Sequence, residues 1–293
     1  MDMEFGILGP LQVLQAGKRC DLGSLRQRGL LARLVVHGGH RISTDRLLDD
    51  LWPDEAADKA RHTLHVYISR VRAVLGVERH RLESDAAGYR LHLEPEELDA
   101  TRFERAVADG RAARASEAME ETLARLTEAL ELWRGPALVE FADEEFARAE
   151  ATRLDQLRLA TLEERMAAEL ELGHHTQVAE ELRSLTLEHP FREGFWEQLM
   201  TALYRSGRQS DALRVYGEAR TRLADELGIE PGPSLKRMEQ RVLGQDPTLD
   251  APGSFRSASS SPSRPFDNLP LQRTTFVGRE RDLAIAGELL QAS

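Results

Sequence analysis

Two glycines 34 residues apart constrain the fold of this chain more than any other feature. Gly173 and Gly207 stand in matching settings, MAAELELGHHTQVAEEL against MTALYRSGRQSDALRVY, each closing one apolar-periodic run and opening another. Such a period with glycine at the turn means stacked pairs of short helices, because one pair buries its apolar face only against the next. The first units of the repeat match poorly, which leaves a plain helical bundle as the alternative. From about Leu98 the chain reads as helix upon helix: 104–115, 118–133, 144–172, 176–188, 192–205, 210–227 and 234–243. The breaks fall at Gly135-Pro136, Gly173, Pro190, Gly207 and 231–233.

The first 96 residues follow a different rule. FGIL and LQVLQ are short β-prone runs around Gly9-Pro10, and residues 18–22 add a third strand. Ser24 is placed to cap a helix that Gly38-Gly39 ends, Ser43 or Thr44 to cap a second that Pro53 closes, and a third runs over 60–75 to Gly76. Strands at 81–83 and 89–93 then flank a turn. Sheet, three helices and hairpin make a winged helix-turn-helix with an extra N-terminal sheet. The fold class is therefore mainly α: a winged helix with a small β-sheet and a β-hairpin wing over 1–96, then an all-α, tetratricopeptide-like repeat domain over 97–245. Residues 246–270, rich in Pro, Ser and Gly, are expected as a flexible linker. Residues 271–293 begin a new β-then-helix unit, so the chain reads as the front of a longer protein.

Charge divides along the same line. The net charge is −11, yet residues 1–93 hold 14 basic and 12 acidic residues while the remainder holds 25 and 38. Between Lys59 and Arg81 six basic residues face one acid, Glu78. A nucleic-acid partner is therefore expected for the first part only. No apolar run approaches the roughly 18–20 residues of a membrane span, and the start lacks a secretory signal, which predicts a cytoplasmic protein with no membrane partner. Cys20 is the only cysteine, so an intrachain disulfide is excluded. There is no P-loop motif, and His62-x-x-His65 has no third ligand beside it. Neither enzymatic activity nor a metal or cofactor is expected.

The third helix carries the candidate chemistry. On a helical wheel Leu64, Ile68, Val71 and Leu75 fall within about 40° of one another and form the packed face, with Tyr67 and Val74 beside it. The opposite face presents His62, Val66, Ser69 and Ala73, flanked by Lys59 and Arg70 on one side and His65 and Arg72 on the other. Small side chains in the middle with long donors at the edges suit a DNA major groove about 12 Å wide. Arg70 is expected to enter or edge the groove, Val66 to meet a thymine methyl, and Arg72 to reach the phosphate rim. Arg61 and Thr63 are placed for phosphates near the helix N-terminus, and Tyr89, in the GYR of the hairpin, completes the set. The acidic total keeps a second reading open, a repeat scaffold whose winged helix binds protein.

Four stretches together carry a resemblance: FGILGPLQV; RHTLHVYISRVRAVLG followed by AGYRL; the block from LDATRFERAV to RSGRQSDALRVYGEARTRLADELGIEPGPSL; and FVGRERDL. The chain resembles the SARP family, the Streptomyces antibiotic regulatory proteins, over residues 4–245, and its helical block is similar to the bacterial transcriptional activation domain of that family. FVGRERDL is similar to the opening of a STAND-type ATPase module. The resemblance implies an activator of secondary-metabolite genes that binds double-stranded promoter DNA at direct repeats near the −35 region. It also implies recruitment of RNA polymerase with its sigma factor, and two protomers head-to-tail on DNA. One departure stands out. The turn before Tyr89 is Glu83, Ser84, Asp85, Ala86 and Ala87, so a strong minor-groove contact by the wing is not expected.

Overall fold

The computed structural model describes residues 3–250. Strands β1 (Met3–Gly6), β2 (Gln12–Gln15) and β3 (Lys18–Arg19) form an antiparallel sheet in sequence order, with Phe5 opposite Val13. Strand alternation puts Met3, Phe5 and Val13 on the buried face. Ala16 and Gly17, both at positive φ, make the two-residue turn that matches the twist of a hairpin.

Helix α1 (Leu25–Val36) starts at Ser24, whose hydroxyl accepts from the Gln27 N–H, and α2 (Thr44–Leu51) starts at Ser43, whose hydroxyl accepts from the Arg46 N–H at 3.2 Å. Helix α3 (Ala57–Leu75) begins three residues before the position the sequence suggests. No breaker separates Pro53 from Ala60, and helical backbone through Ala57–Lys59 is what carries Ala60 into the core at 1% exposure. A 3-10 turn, Gly76–Arg81, leads into strands β4 (Leu82–Asp85) and β5 (Gly88–Leu91). Arg81 is held in that turn, outside the strand, by Glu78 and Glu97.

The helical block consists of α4 (Asp99–Ala115), α5 (Met119–Glu131), α6 (Glu145–Glu171), α7 (His175–Glu188), α8 (Glu193–Arg205), α9 (Gln209–Leu227) and α10 (Pro233–Leu243). Gly173 and Gly207 perform the same task. Each sits at positive φ just past a helix, and the next N–H returns to the carbonyl five residues back, His174 to Glu169 and Arg208 to Leu203. Glu117 and Gln245 close α4 and α10 with the same bond, Ala118 to Ala113 and Asp246 to Arg241, at positive φ without glycine.

Two hydrophobic cores result. The first runs from Met3 to Leu154 and includes Phe5, Leu34, Leu64, Phe103, Trp133 and Phe141, so the winged helix, α4, α5 and the front of α6 are buried together. The second runs from Met166 to Leu249. The packing boundary therefore lies inside α6, whereas the composition changes at residue 96. Asp99, 3% exposed, joins the two parts of the first core: its carboxylate accepts from the Ile7 and Leu8 N–H groups at 2.8 and 3.1 Å and from Arg134 at 3.0 Å. The Arg134 N–H donates to the Leu8 carbonyl, the Leu138 N–H to that of Ile7, and the Leu11 N–H to Glu140.

Residues 246–250, expected as the start of the linker, are folded onto the second core. Asp246 caps a further 3-10 turn, Pro247–Leu249, the Leu249 side chain is 2% exposed in the second core, and Arg205 donates to the Leu249 carbonyl at 2.8 Å. A lone leucine among polar residues gives little sign of this in the sequence. The rest of that linker and the expected start of an ATPase module at 271–293 lie outside the described residues. Among the described residues no helix is long and apolar enough to cross a membrane.

Candidate nucleic-acid interface

Helices α2 and α3 form the helix-turn-helix, and α3 is fixed from three sides. Its inner face, Ala60, Leu64, Ile68, Val71 and Leu75, is buried in the first core. Trp52, at the end of α2, stacks on Tyr67 with ring centroids 5.8 Å apart. The hairpin closes the third side. Ile42, just before α2, exchanges both backbone hydrogen bonds with Tyr89 at 2.8 and 2.9 Å, so a single antiparallel bridge ties the chain entering α2 to the two-stranded wing. A Cβ at Gly88 would stand 2.0 Å from the Ile42 carbonyl oxygen, and φ there is +127°, so only glycine fits this crossing.

The outer face of α3 brings together most of the residues expected there. Lys59, Arg61, His62, His65, Val66, Ser69 and Arg70 are all exposed, with Val66 at 37%. Their commitments within the protein are weak. Lys59 lies 3.8 Å from Glu55 and Arg61 3.2 Å from Asp45, both exposed pairs of the kind that contribute little. Arg70 makes no ion pair among the described residues; its guanidinium lies over the Tyr67 ring, 5.4 Å from the centroid. That contact extends the stack Trp52, Tyr67, Arg70 outward and holds the side chain on the α2 side of the exposed face.

Three expected site residues are placed differently. Arg72 is half-buried and turned to the wing: Nε and Nη2 donate to the Leu82 carbonyl at 3.1 and 2.8 Å, and Nη2 also to the Ser84 hydroxyl at 3.0 Å. Its fork fastens α3 to β4 instead of reaching outward to a phosphate. Tyr89 is 6% exposed, its backbone is used by Ile42, and burial pushes its phenol above the ordinary value. It is a core residue of the wing. Thr63 is half-buried and donates its hydroxyl to the Lys59 carbonyl one turn back at 3.0 Å, which leaves it less available than Arg61. A helical wheel gives direction from one axis only and does not show that a hairpin stands beside Arg72.

Sequence reasoning also missed Arg41. It pairs with Glu83 and with Asp85, which removes much of the negative charge the wing would otherwise present. The Glu83 carboxyl is held below the usual carboxylate range, first by a hydrogen bond from His92. Arg90, from β5, donates to the Gly39 carbonyl at 2.6 Å. The wing is thus a braced, nearly neutral support for α3. The signal that could have found Arg41 is its place opposite the hairpin turn, which needs the Ile42–Tyr89 pairing to be known first.

Comparison with known proteins agrees with this geometry. Residues 19–91 match the family described as Transcriptional regulatory protein, C terminal, and residues 98–243 match the Bacterial transcriptional activator domain. The chain is 37% identical over 282 residues to the transcriptional regulatory protein EmbR of Mycobacterium tuberculosis, covering 95% of this chain and 71% of that protein. It is 34% identical over 268 residues to the regulatory protein DnrI of Streptomyces peucetius, covering 88% and 98%. The regulatory protein AfsR of Streptomyces coelicolor is 35% identical over 294 residues, but the chain spans only 29% of it. A solved structure described as Mycobacterium tuberculosis EmbR in complex with low affinity phosphopeptide superposes with a TM-score of 0.80 at 38% identity, over 84% of this chain and 66% of that one. The matched modules are those of regulators and not of enzymes, and neither spans residues 271–293. With a winged-helix regulatory module followed by a bacterial transcriptional activator domain, and with these relatives, this chain belongs to the SARP-type family of transcriptional regulators.

Proposed function

We propose that the chain is a sequence-specific activator, acting in the cytoplasm, that sets the outer face of α3 into the major groove of promoter DNA and uses its helical block to recruit RNA polymerase with its sigma factor. One observation carries the DNA half of this reading. Every buried position of α3 is committed to the core, while its outer face keeps small side chains, Val66, Ser69 and Ala73, between donors that have little else to bind. Such a face lets the backbone approach base edges while the donors reach guanine or phosphate. Arg70 is assigned to base reading. Lys59, Arg61, His62 and His65 are assigned to phosphates and groove edges.

The wider reading, with genes of secondary metabolism as the targets and direct repeats as the sites, rests on what the SARP resemblance implies. Two protomers would sit head-to-tail on repeats spaced about one helical turn, roughly 10–11 bp. Such a contact joins different surfaces of each copy, so DNA aligns what is not paired in solution. A footprint on the promoter beside the chain's own gene, followed by titration with salt, tests the reading. Phosphate-driven binding must weaken steeply, by about 10³–10⁵ between 50 and 200 mM salt for six to ten phosphate contacts. A protected region absent at all salt concentrations, with partner-protein binding insensitive to salt, would favour the scaffold alternative.

A further inference from the structure

The second core carries a groove with a composition unlike the surface around it. It lies between α7 and α9 over the end of α8, has a volume of about 690 Å³, and is lined on the α7 side from Thr176 to Leu187 at spacings of three and four. It therefore follows α7 for most of its length, about 16 Å at 1.5 Å per residue. Three of its lining residues are arginines, Arg183, Arg208 and Arg214, against one carboxylate, Glu180. This is a cationic groove on the acidic part of the chain.

Arg183 is the telling residue. It is half-buried, yet its side chain makes no ion pair or hydrogen bond among the described residues. Across the groove Arg208 and Arg214 share the carboxylate of Asp211 at 2.7 and 3.0 Å, and Arg214 also pairs with Glu218 at 2.7 Å, so of these two only Arg208 keeps much of its guanidinium fork unused. At the other end Leu187 is 61% exposed on the same stripe of α7. The groove thus offers the Arg183 guanidinium, unpaired among the described residues, and spare donors of Arg208, followed by one apolar foothold.

We propose that this groove is a docking site for an acidic peptide segment of a protein partner, one that pairs a carboxylate with Arg183 and sets an apolar side chain against Leu187. The inference rests on the reading of the helical block as the partner-binding part, and it adds where that part binds and what it recognises. A nucleic-acid backbone fits less well: Glu180 lies in the groove and Asp211 beside it, and an exposed leucine has no use against phosphate. Carboxylates pair bidentately with guanidinium forks, and a segment rather than a flat surface suits an elongated channel.

The test uses the full chain. A displayed library of random 12-residue peptides is selected against it, and the recovered peptides are synthesised and titrated by fluorescence anisotropy. Recovered peptides should be acidic with a leucine or aromatic residue, and Arg183→Glu should weaken them by about tenfold or more, the effect of removing one charge-assisted hydrogen-bonded pair. Arg183→Ala should weaken them less and Leu187→Ser should weaken them too. Arg237→Glu, the same charge change on the exposed surface of α10 outside the groove, should leave them unchanged. Operator affinity should be the same in all four variants, which shows that the fold is kept. Recovery of no acidic peptides, equal binding by Arg183→Glu, or displacement of the peptides by a non-operator duplex would overturn the proposal. Transcription assayed alongside separates the two ideas: peptide binding without activation by the wild type would sink the activator reading and leave the groove standing.

Discussion

In the core that runs from Met3 to Leu154, elements far apart in the chain are joined by buried polar contacts: Asp99 accepts from Ile7 and Leu8, and Glu140 from Leu11. In the core from Met166 to Leu249, helices stack mainly on their sequence neighbours and the turns after α6, α8 and α10 are closed by their own backbone, with Arg205 tying α8 to the Leu170 and Leu249 carbonyls. The first core makes the DNA-facing winged helix and the front of the activator domain one body. The second is built by local repetition. A boundary in composition is thus not a boundary in packing, and a fragment ending at residue 96 would lose Phe103, Trp133 and Phe141 from the core they share with Phe5 and Leu64.

The largest effect that can break this contrast is expected from Asp99→Ala. Two buried N–H groups lose their acceptor and Arg134 loses its partner, a loss of about 3–5 kcal/mol by the rule for a broken buried pair. Hydrogen exchange should show reduced protection across residues 3–154, with 166–250 affected less. Equal loss in both regions would mean that the cores unfold as one unit. Leu249→Ala should cost somewhat less, about 2–4 kcal/mol, and should loosen α8 and α10 while operator affinity stays unchanged. A chain cut after 245 should melt at a lower temperature than one cut after 250. A fall in operator affinity for either of these changes would contradict the separation.

The smallest effect concerns the wing. Arg72→Ala removes charge-assisted hydrogen bonds that are partly open to solvent, so about 1 kcal/mol of stability is expected. Exchange of the β4 and β5 amides should rise, and all DNA sequences should bind alike more weakly with the salt slope unchanged. A slope shallower by about one would instead return Arg72 to the phosphates and separate the wing from α3.

Much of this fold was legible because its signals are local. Ser24 and Ser43 mark helix starts, Gly173 and Gly207 mark helix ends, and the 3.6-residue period of α3 picks out its buried face. Where the same closure uses Glu117 or Gln245, no residue type announces it, because an ordinary side chain has been placed in a conformation that glycine favours. Long-range partners were beyond reach for a related reason. Nothing near Asp99 says that its acceptors serve Ile7 and Leu8, and nothing near Arg72 or Arg41 says that a hairpin lies beside them. On the site itself the wheel placed Val66, Ser69 and Arg70 on the exposed face, while Arg72, Thr63 and Tyr89 needed the tertiary contacts.

The central claim is that the outer face of α3 reads DNA, and Arg70 tests it most directly. Affinities of wild type and Arg70→Ala for an operator and its single-base variants, at several salt concentrations and with thermal melts as control, decide it. The expected result is a folded variant that loses about 1–3 kcal/mol of binding and discriminates less at one base position than the wild type does. A folded Arg70→Ala with wild-type affinity and wild-type preference at every position would show that another surface of this protein meets the DNA.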